Sequence, residues 1–434
     1  MKLNRRRFIT TTGLLGGVGL LSQSAMPLSG IDHNKHKKNR GQKLLLAQDH
    51  QIIARVPEGG RHWVASPGLV RLNSGNLFAV SPIGNRDRNI IEWQTHLSLS
   101  KDGGKTWTLI DIKPYSDATP FVHNNQLYLF FRPKLEGKNL FFGDIWLTRS
   151  EDEGKTWVDP VKTFEGMYWN IQTSMCQKDG FIYWALNKNS WWGPESGVVV
   201  IAGDVSKDLL NPASWRISNN VLRQDTPEGL SRHLMNIKKD DWIQWERDGW
   251  LEPNVVNVNG NIRVFSRSVI DGYATANIAA VCDVKDDKKE IDLSFSQYCS
   301  LPGGQCKFYI KYDKQSKLFW MASNIPTDSQ EMVHDWDKIR DGKSFNGGPG
   351  NERRIMILSY SVDSLNWFQA GCIAMSKKPI QSFMYASFDF DDEDIVLISR
   401  TNIESNSQHD ADVTSFHRIR NFRELALDLY PEMG

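Results

Sequence analysis

Short apolar or alternating runs recur along the chain, and most follow a turn of Asn, Asp or Gly. Leu69-Val-Arg-Leu, Asn76-Leu-Phe-Ala-Val, Gln126-Leu-Tyr-Leu-Phe, Phe181-Ile-Tyr-Trp-Ala, Asn261-Ile-Arg-Val-Phe and Ile395-Val-Leu-Ile-Ser are of this kind. Their length and their β-branched and aromatic content predict strands. No stretch keeps its apolar residues at helical spacing. The pattern predicts an all-β chain.

A longer period overlies the strands. Ser100-Lys-Asp102-Gly-Gly104-Lys-Thr106-Trp107 returns fifty residues later as Ser150-Glu-Asp152-Glu-Gly154-Lys-Thr156-Trp157. Ser361-Val-Asp363-Ser-Leu-Asn-Trp367 is a shorter copy, and Ser206-Lys-Asp208 leads to Trp215 through an insertion. In such a unit Asp accepts backbone N–H bonds in a turn, Gly supplies positive φ, and Trp packs between neighbouring sheets. The unit is structural, away from any site. A period of this length in an all-β chain predicts a β-propeller. About 390 residues at roughly 50 to 55 per blade gives seven blades, or six where insertions are long.

Three regions break the pattern. Asn4-Arg5-Arg6-Arg7-Phe8-Ile9-Thr10, followed by the apolar run Gly13 to Leu21, reads as a twin-arginine export signal over residues 1–30. That run is too short to span a bilayer, so the mature chain is expected to have no membrane span and to lie in the periplasm or outside the cell. Residues 31–48 read as a polar, basic tether, and residues 49–434 as a single propeller domain. Within it, 225–248 (rich in charge and Trp) and 326–352 (rich in Asp, Gly and Asn) read as loop insertions.

Charge narrows the partners. With 52 basic and 51 acidic side chains, the chain has no bulk charge for a nucleic acid, and an anionic ligand must meet a local cluster. Five cysteines without a C-x-x-C pair indicate neither a zinc site nor a redox site.

A propeller binds its ligand at one end of its axis, so ionisable residues within strand-like segments are the candidates. His123, between an apolar strand and its turn, and Tyr168, 45 residues on, occupy related positions in adjacent blades. Arg267 ends a strand downstream of Glu252 and Asn254. Glu252 is either its structural partner or its neighbour in a carboxylate site. Arg400 has the same profile in the last blade, and Lys307 follows the Pro302-Gly-Gly304 turn. Arg267, Arg400 and Lys307 are expected at one positively charged mouth. His409 is either a site residue or a ring-closure contact. Glu92, Glu252 and Asp117 are the carboxylates available to a hydrolase.

Taken together, Ser66-Pro-Gly-Leu-Val-Arg-Leu-Asn-Ser-Gly75, the first repeat, Phe121-Val-His123, Tyr168, Pro302-Gly-Gly304 and His409-Asp-Ala-Asp-Val-Thr-Ser-Phe-His417 resemble a family of secreted bacterial sialidase-like propellers. The repeat is similar to their Asp-box. That family in turn resembles the seven-bladed propeller lyases acting on ulvan and on rhamnose–glucuronate linkages. The resemblance implies β-elimination on an acidic poly- or oligosaccharide, with His123 and Tyr168 exchanging protons and no cofactor or metal. It also implies an Arg neutralising the uronate where this chain has Trp184, which leaves Lys188 or Arg267 for that task. The rival readings are a sialidase-like hydrolase and a non-catalytic glycan-binding propeller. True sialidases use three arginines on a carboxylate and a Tyr nucleophile paired with Glu.

Overall fold

The computed structural model describes residues 45–58, 61–86, 91–133, 141–225, 249–269, 277–326, 352–378, 380–405 and 407–429. The export signal, most of the tether and nearly all of both expected insertions lie outside the described residues. Within them the chain forms strands and short 3-10 turns, with no α-helix.

The strands fall into six antiparallel meanders of the described residues. The first comprises Gly68–Arg71, Leu77–Asn85, Glu92–Ser100 and Thr108–Lys113, with His62–Val64 also paired to Leu77–Asn85. The second runs Ser116–His123, Gln126–Arg132, Gly143–Ser150 and Val161–Trp169. The third contains Cys176–Lys178, Phe181–Asn189, Ser196–Asp204 and Trp215–Ile217, and joins the second where Tyr168 and Trp169 pair with Lys188 and Asn187. The fourth is Gly249–Val258, Asn261–Val269, Ile278–Asp286 and Ile291–Ser300; the fifth is Tyr309–Asp313, Leu318–Asn324, Ile355–Ser361 and Phe368–Met375. The sixth takes Ser382–Asp391, Asp394–Asn402 and Val413–Ile419 from the end of the chain and Gln51–Arg55 from its beginning.

First strands of successive meanders lie side by side. Gly68–Arg71 touches both Ser116–His123 and Ser382–Asp391, and Tyr309–Asp313 touches both Gly249–Val258 and Ser382–Asp391. Apolar side chains fill the layers between meanders, as Phe78, Leu97, Leu129 and Phe131 do between the first and second.

The sequence repeats fold alike. In both full copies the Ser hydroxyl accepts the Gly N–H at 2.8 Å, and the Asp carboxylate accepts the Thr N–H at 2.9 and 2.8 Å. Each Trp indole donates to its own Gly carbonyl, at 3.2 and 3.0 Å. Trp107 packs on Phe416 of the sixth meander and Trp157 on Phe78 of the first, so each ring leans on the preceding sheet. The shorter copy does the same with Ser364 in positive φ (64°) where the others have Gly.

Candidate active site

One end of the meanders surrounds a cavity of about 410 Å³ with two unlike halves. The first three meanders and their loops supply Trp63, Trp93, Phe141, Trp169, Trp191 and Trp192. The rings meet mostly edge to face, as Trp63 does Trp93 at 5.6 Å and Trp169 does Trp191 at 5.1 Å. The last three meanders supply Glu252, Arg267, Arg353, Tyr385, Arg400, His409 and Asp410.

Glu252 sits near the start of its strand in positive φ (50°) and is 1 % exposed. Arg267 Nη1 lies 3.2 Å from its Oε2, and Arg267 Nε donates to the Gln305 carbonyl at 2.6 Å. Burial opposes the Arg267 charge, but Glu252 outweighs it and the guanidinium pKa is raised. Asn254 donates to the Glu252 and Phe308 carbonyls, so it fixes the backbone and leaves Glu252 to face the cavity.

Tyr385 lies between two more arginines. Arg353 and Arg400 carry their guanidinium carbons 5.6 and 5.1 Å from its ring centroid. Arg400 donates to the His409 carbonyl and stands 3.6 Å from Asp410 Oδ1. His409 Nδ1 is 2.8 Å from the same carboxylate oxygen, which assigns the ring proton to Nδ1. Burial, and then Arg400, push the His409 pKa down to about 3, so the ring is neutral at pH 7. Among the described residues no group of His, Cys, Asp and Glu is arranged to hold a metal ion, and all five cysteines are free.

Five residues expected from sequence (Asp117, Glu252, Arg267, Arg400 and His409) line this cavity; the others do not. His123 closes its strand at the far end from Asp117, which does line the cavity. Tyr168 points into the core beside Phe164, 3.4 Å from Lys188 Nζ, while its neighbour Trp169 faces the cavity. Lys307 is 2 % exposed and donates to the Ala386 carbonyl, so it is not at a charged mouth. Burial lowers its pKa to about 7 against the pull of Glu252. Trp184 stacks on Phe130 in the core, where an arginine would be a buried charge. Glu92 is exposed and does not line the cavity. Arg353, Tyr385 and Asp410 were not among the candidates.

Comparison places the fold. No protein-family model matches the chain, and no curated protein sequence does. Among solved structures, a protein of unknown function from Dyadobacter fermentans superimposes with a TM-score of 0.53 at 12% identity, covering 86% of this chain and 98% of that one. The sialidase of Trypanosoma rangeli in complex with sialic acid gives 0.53 at 13% identity over 88% of this chain, which spans only 59% of the trypanosomal one. An α-L-arabinanase of Penicillium chrysogenum with arabinobiose gives 0.50 at 14%, covering 86% and 98%. The fold is a β-propeller of the kind seen in sialidases and arabinanases.

Proposed function

We propose that the chain is a six-bladed, closed propeller that binds an acidic sugar by its carboxylate and hydrolyses the glycosidic bond beside it. The convergence of Arg267, Arg353 and Arg400 around Tyr385 in one cavity carries the reading. Guanidinium groups pair with carboxylates through charge-assisted bonds, and the facing Trp wall offers apolar surface to sugar rings. Tyr385 is the nucleophile in this reading. A carboxylate attacking an anomeric carbon that itself bears a carboxylate would be repelled. A phenol approaches neutral, and nearby arginines stabilise the charge it develops. Glu252, on the Arg267 side, takes the phenolic proton as the glycosidic bond breaks and the departing oxygen takes a proton from water; a second water then displaces the sugar from Tyr385, which regains its proton from Glu252. The solved sialidase and arabinanase act in the same class of chemistry, which supports the reading.

The deciding experiment assays glycosides of acidic sugars and uronate-rich polysaccharides for reducing ends and for the absorbance of an unsaturated uronate. Reducing ends alone, abolished in Tyr385→Phe, are expected; full turnover by Tyr385→Phe would sink the assignment. Elimination is the second reading. His409, its ring centroid 6.1 Å from that of Tyr385 and beside neutralising arginines, is the group placed to take the proton in it. Unsaturated ends would decide for it, and loss of them in His123→Ala would return the proton transfer to His123 and Tyr168. We also assign residues 1–30 to twin-arginine export; Arg5, Arg6 and Arg7 all changed to Lys should leave the protein in the cytoplasm on fractionation.

A further inference from the structure

Three first strands share one irregularity. Their ladders to the second strand skip between Ser116 and Thr119, between Leu251 and Asn254, and between Met384 and Ser387. Each gap holds a non-glycine residue in positive φ: Asp117 at 48°, Glu252 at 50° and Tyr385 at 53°. Such a backbone costs roughly 1–2 kcal/mol for a residue with a Cβ, and the chain bears it three times, in the second, fourth and sixth meanders. In each case the turned-out side chain meets an arginine of the adjacent strand, always at the same interval along the sequence: Arg132, Arg267 and Arg400.

Two of the three are acid–arginine pairs. Arg132 is bound to Asp117, and Arg267 to Glu252. The third departs. Tyr385 offers Arg400 a ring and no carboxylate, and Arg400 is 4 % exposed; its Nε lacks a hydrogen-bond partner, as that of Arg132 does. The nearby carboxylate Asp410 stands 3.6 Å off and already takes the His409 Nδ1 proton. A buried guanidinium is normally paired, and a ring face returns less than an ion pair does.

We propose that Tyr385 occupies an acid position vacated for the ligand: the carboxylate of an acidic sugar completes at Arg400 the ion pair that Asp117 and Glu252 complete from within the chain. The proposal rests on the preceding reading for the class of ligand and is independent of the bond that is broken. It makes Tyr385 a determinant of specificity as well as a reacting group. A carboxylate there would fill the site from inside, and any side chain without charge would leave it open.

The test compares Tyr385→Asp with Tyr385→Asn, which differ in charge and hardly in size. Binding of free D-glucuronate and N-acetylneuraminate is read by calorimetry and by quenching of the Trp wall. The Asn variant should hold its better ligand within about threefold of the wild type, and the Asp variant should lose about tenfold or more. The Asp variant should also melt higher than the Asn variant. Equal affinities in the two variants overturn the proposal, as does failure of the wild type to bind either sugar. Should circular dichroism show the Asp variant unfolded, Arg400→Met takes its place: loss of binding supports the proposal and wild-type affinity overturns it. The two readings separate cleanly. Sugars bound by the wild type, lost in the Asp variant and never cleaved as glycosides would remove the hydrolase and leave this inference standing. Glycosides cleaved, with Asp and Asn variants binding alike, would do the reverse.

Discussion

Asn324 and Phe383 belong to different meanders, and the Asn324 amide donates to the Phe383 carbonyl at 2.7 Å, two residues before Tyr385. The same clamp appears twice more. Asn187 donates to the carbonyl of Trp250 at 2.7 Å, two before Glu252, and Thr95 to that of Tyr115 at 2.6 Å, two before Asp117. Each turned-out residue is thus aimed by a polar side chain of the preceding meander. Asn324→Leu should cost about 1–3 kcal/mol by leaving buried acceptors unpaired. It should also lower turnover by displacing Tyr385. Urea unfolding together with kinetics checks both; an unchanged rate would show that the clamp does not aim the site.

The Glu252–Arg267 pair should be costly to break and cheap to replace. Glu252→Ala strands a buried guanidinium and should lose about 3–5 kcal/mol of stability. Glu252→Leu combined with Arg267→Met should recover most of that. If the double variant unfolds as early as the single, the pair is held by more than its charge.

Tyr385→Phe removes one oxygen from a ring packed by two arginines. The fold should be unaltered by circular dichroism, and turnover of an acidic glycoside should fall about a hundredfold or more.

Acid should weaken the protein through His417. Its ring is 1 % exposed and bonded to the Ala47 carbonyl at 2.7 Å and to Ser415 Oγ at 2.8 Å. Burial, with His50 adding to it, lowers the pKa from 6.5 to about 4. The unfolded chain therefore takes up a proton below about pH 6.5 that the folded chain refuses until about 4, so stability falls as pH falls through that window, by about 3 kcal/mol. His409 contributes with the same sign. Urea midpoints between pH 7 and 4.5 should show the loss, and His417→Asn should flatten it.

Two glycines in similar backbone should respond differently to Ala. At Gly180, φ is +83° and no atom lies near an added Cβ, so the loss should be about 1–2 kcal/mol. At Gly104, φ is +87° and the Cβ would fall 2.1 Å from the Phe416 ring, which should add about 1–3 kcal/mol. Equal melting temperatures would mean that the Phe416 ring moves aside freely.

The repeated turns were legible because their hydrogen bonds are local: Asp102 and Thr106 sit within one loop. The strands were legible for the same reason. The site was half legible. Glu252, Arg267, Arg400 and His409 stood out as ionisable groups in strand-like or strand-edge segments. Tyr385 hid in an apolar run whose alternation is broken by its own bulge, and Arg353 follows a polar segment with no strand pattern. The recurring interval from Asp117, Glu252 and Tyr385 to their arginines was a signal in plain view. The spacing of His123 and Tyr168 misled because it measures blades and not depth within a blade. His123 ends the first strand of its meander, while Tyr168 lies on the fourth with its side chain in the core.

The pairing of Gln51–Arg55 with Val413–Ile419 bears on how the molecule yields to force. The two strands are antiparallel, with Gln51 opposite Phe416 and Arg55 opposite Val413. The chain therefore enters the first strand and leaves the last at the same end of the ladder. Tension applied between the termini would part the rungs one after another, beginning beside Gln51, instead of shearing them all at once. The sixth meander would then open under a gentle pull like a zip fastener, and a single-molecule stretch would register a low, stepwise first rupture.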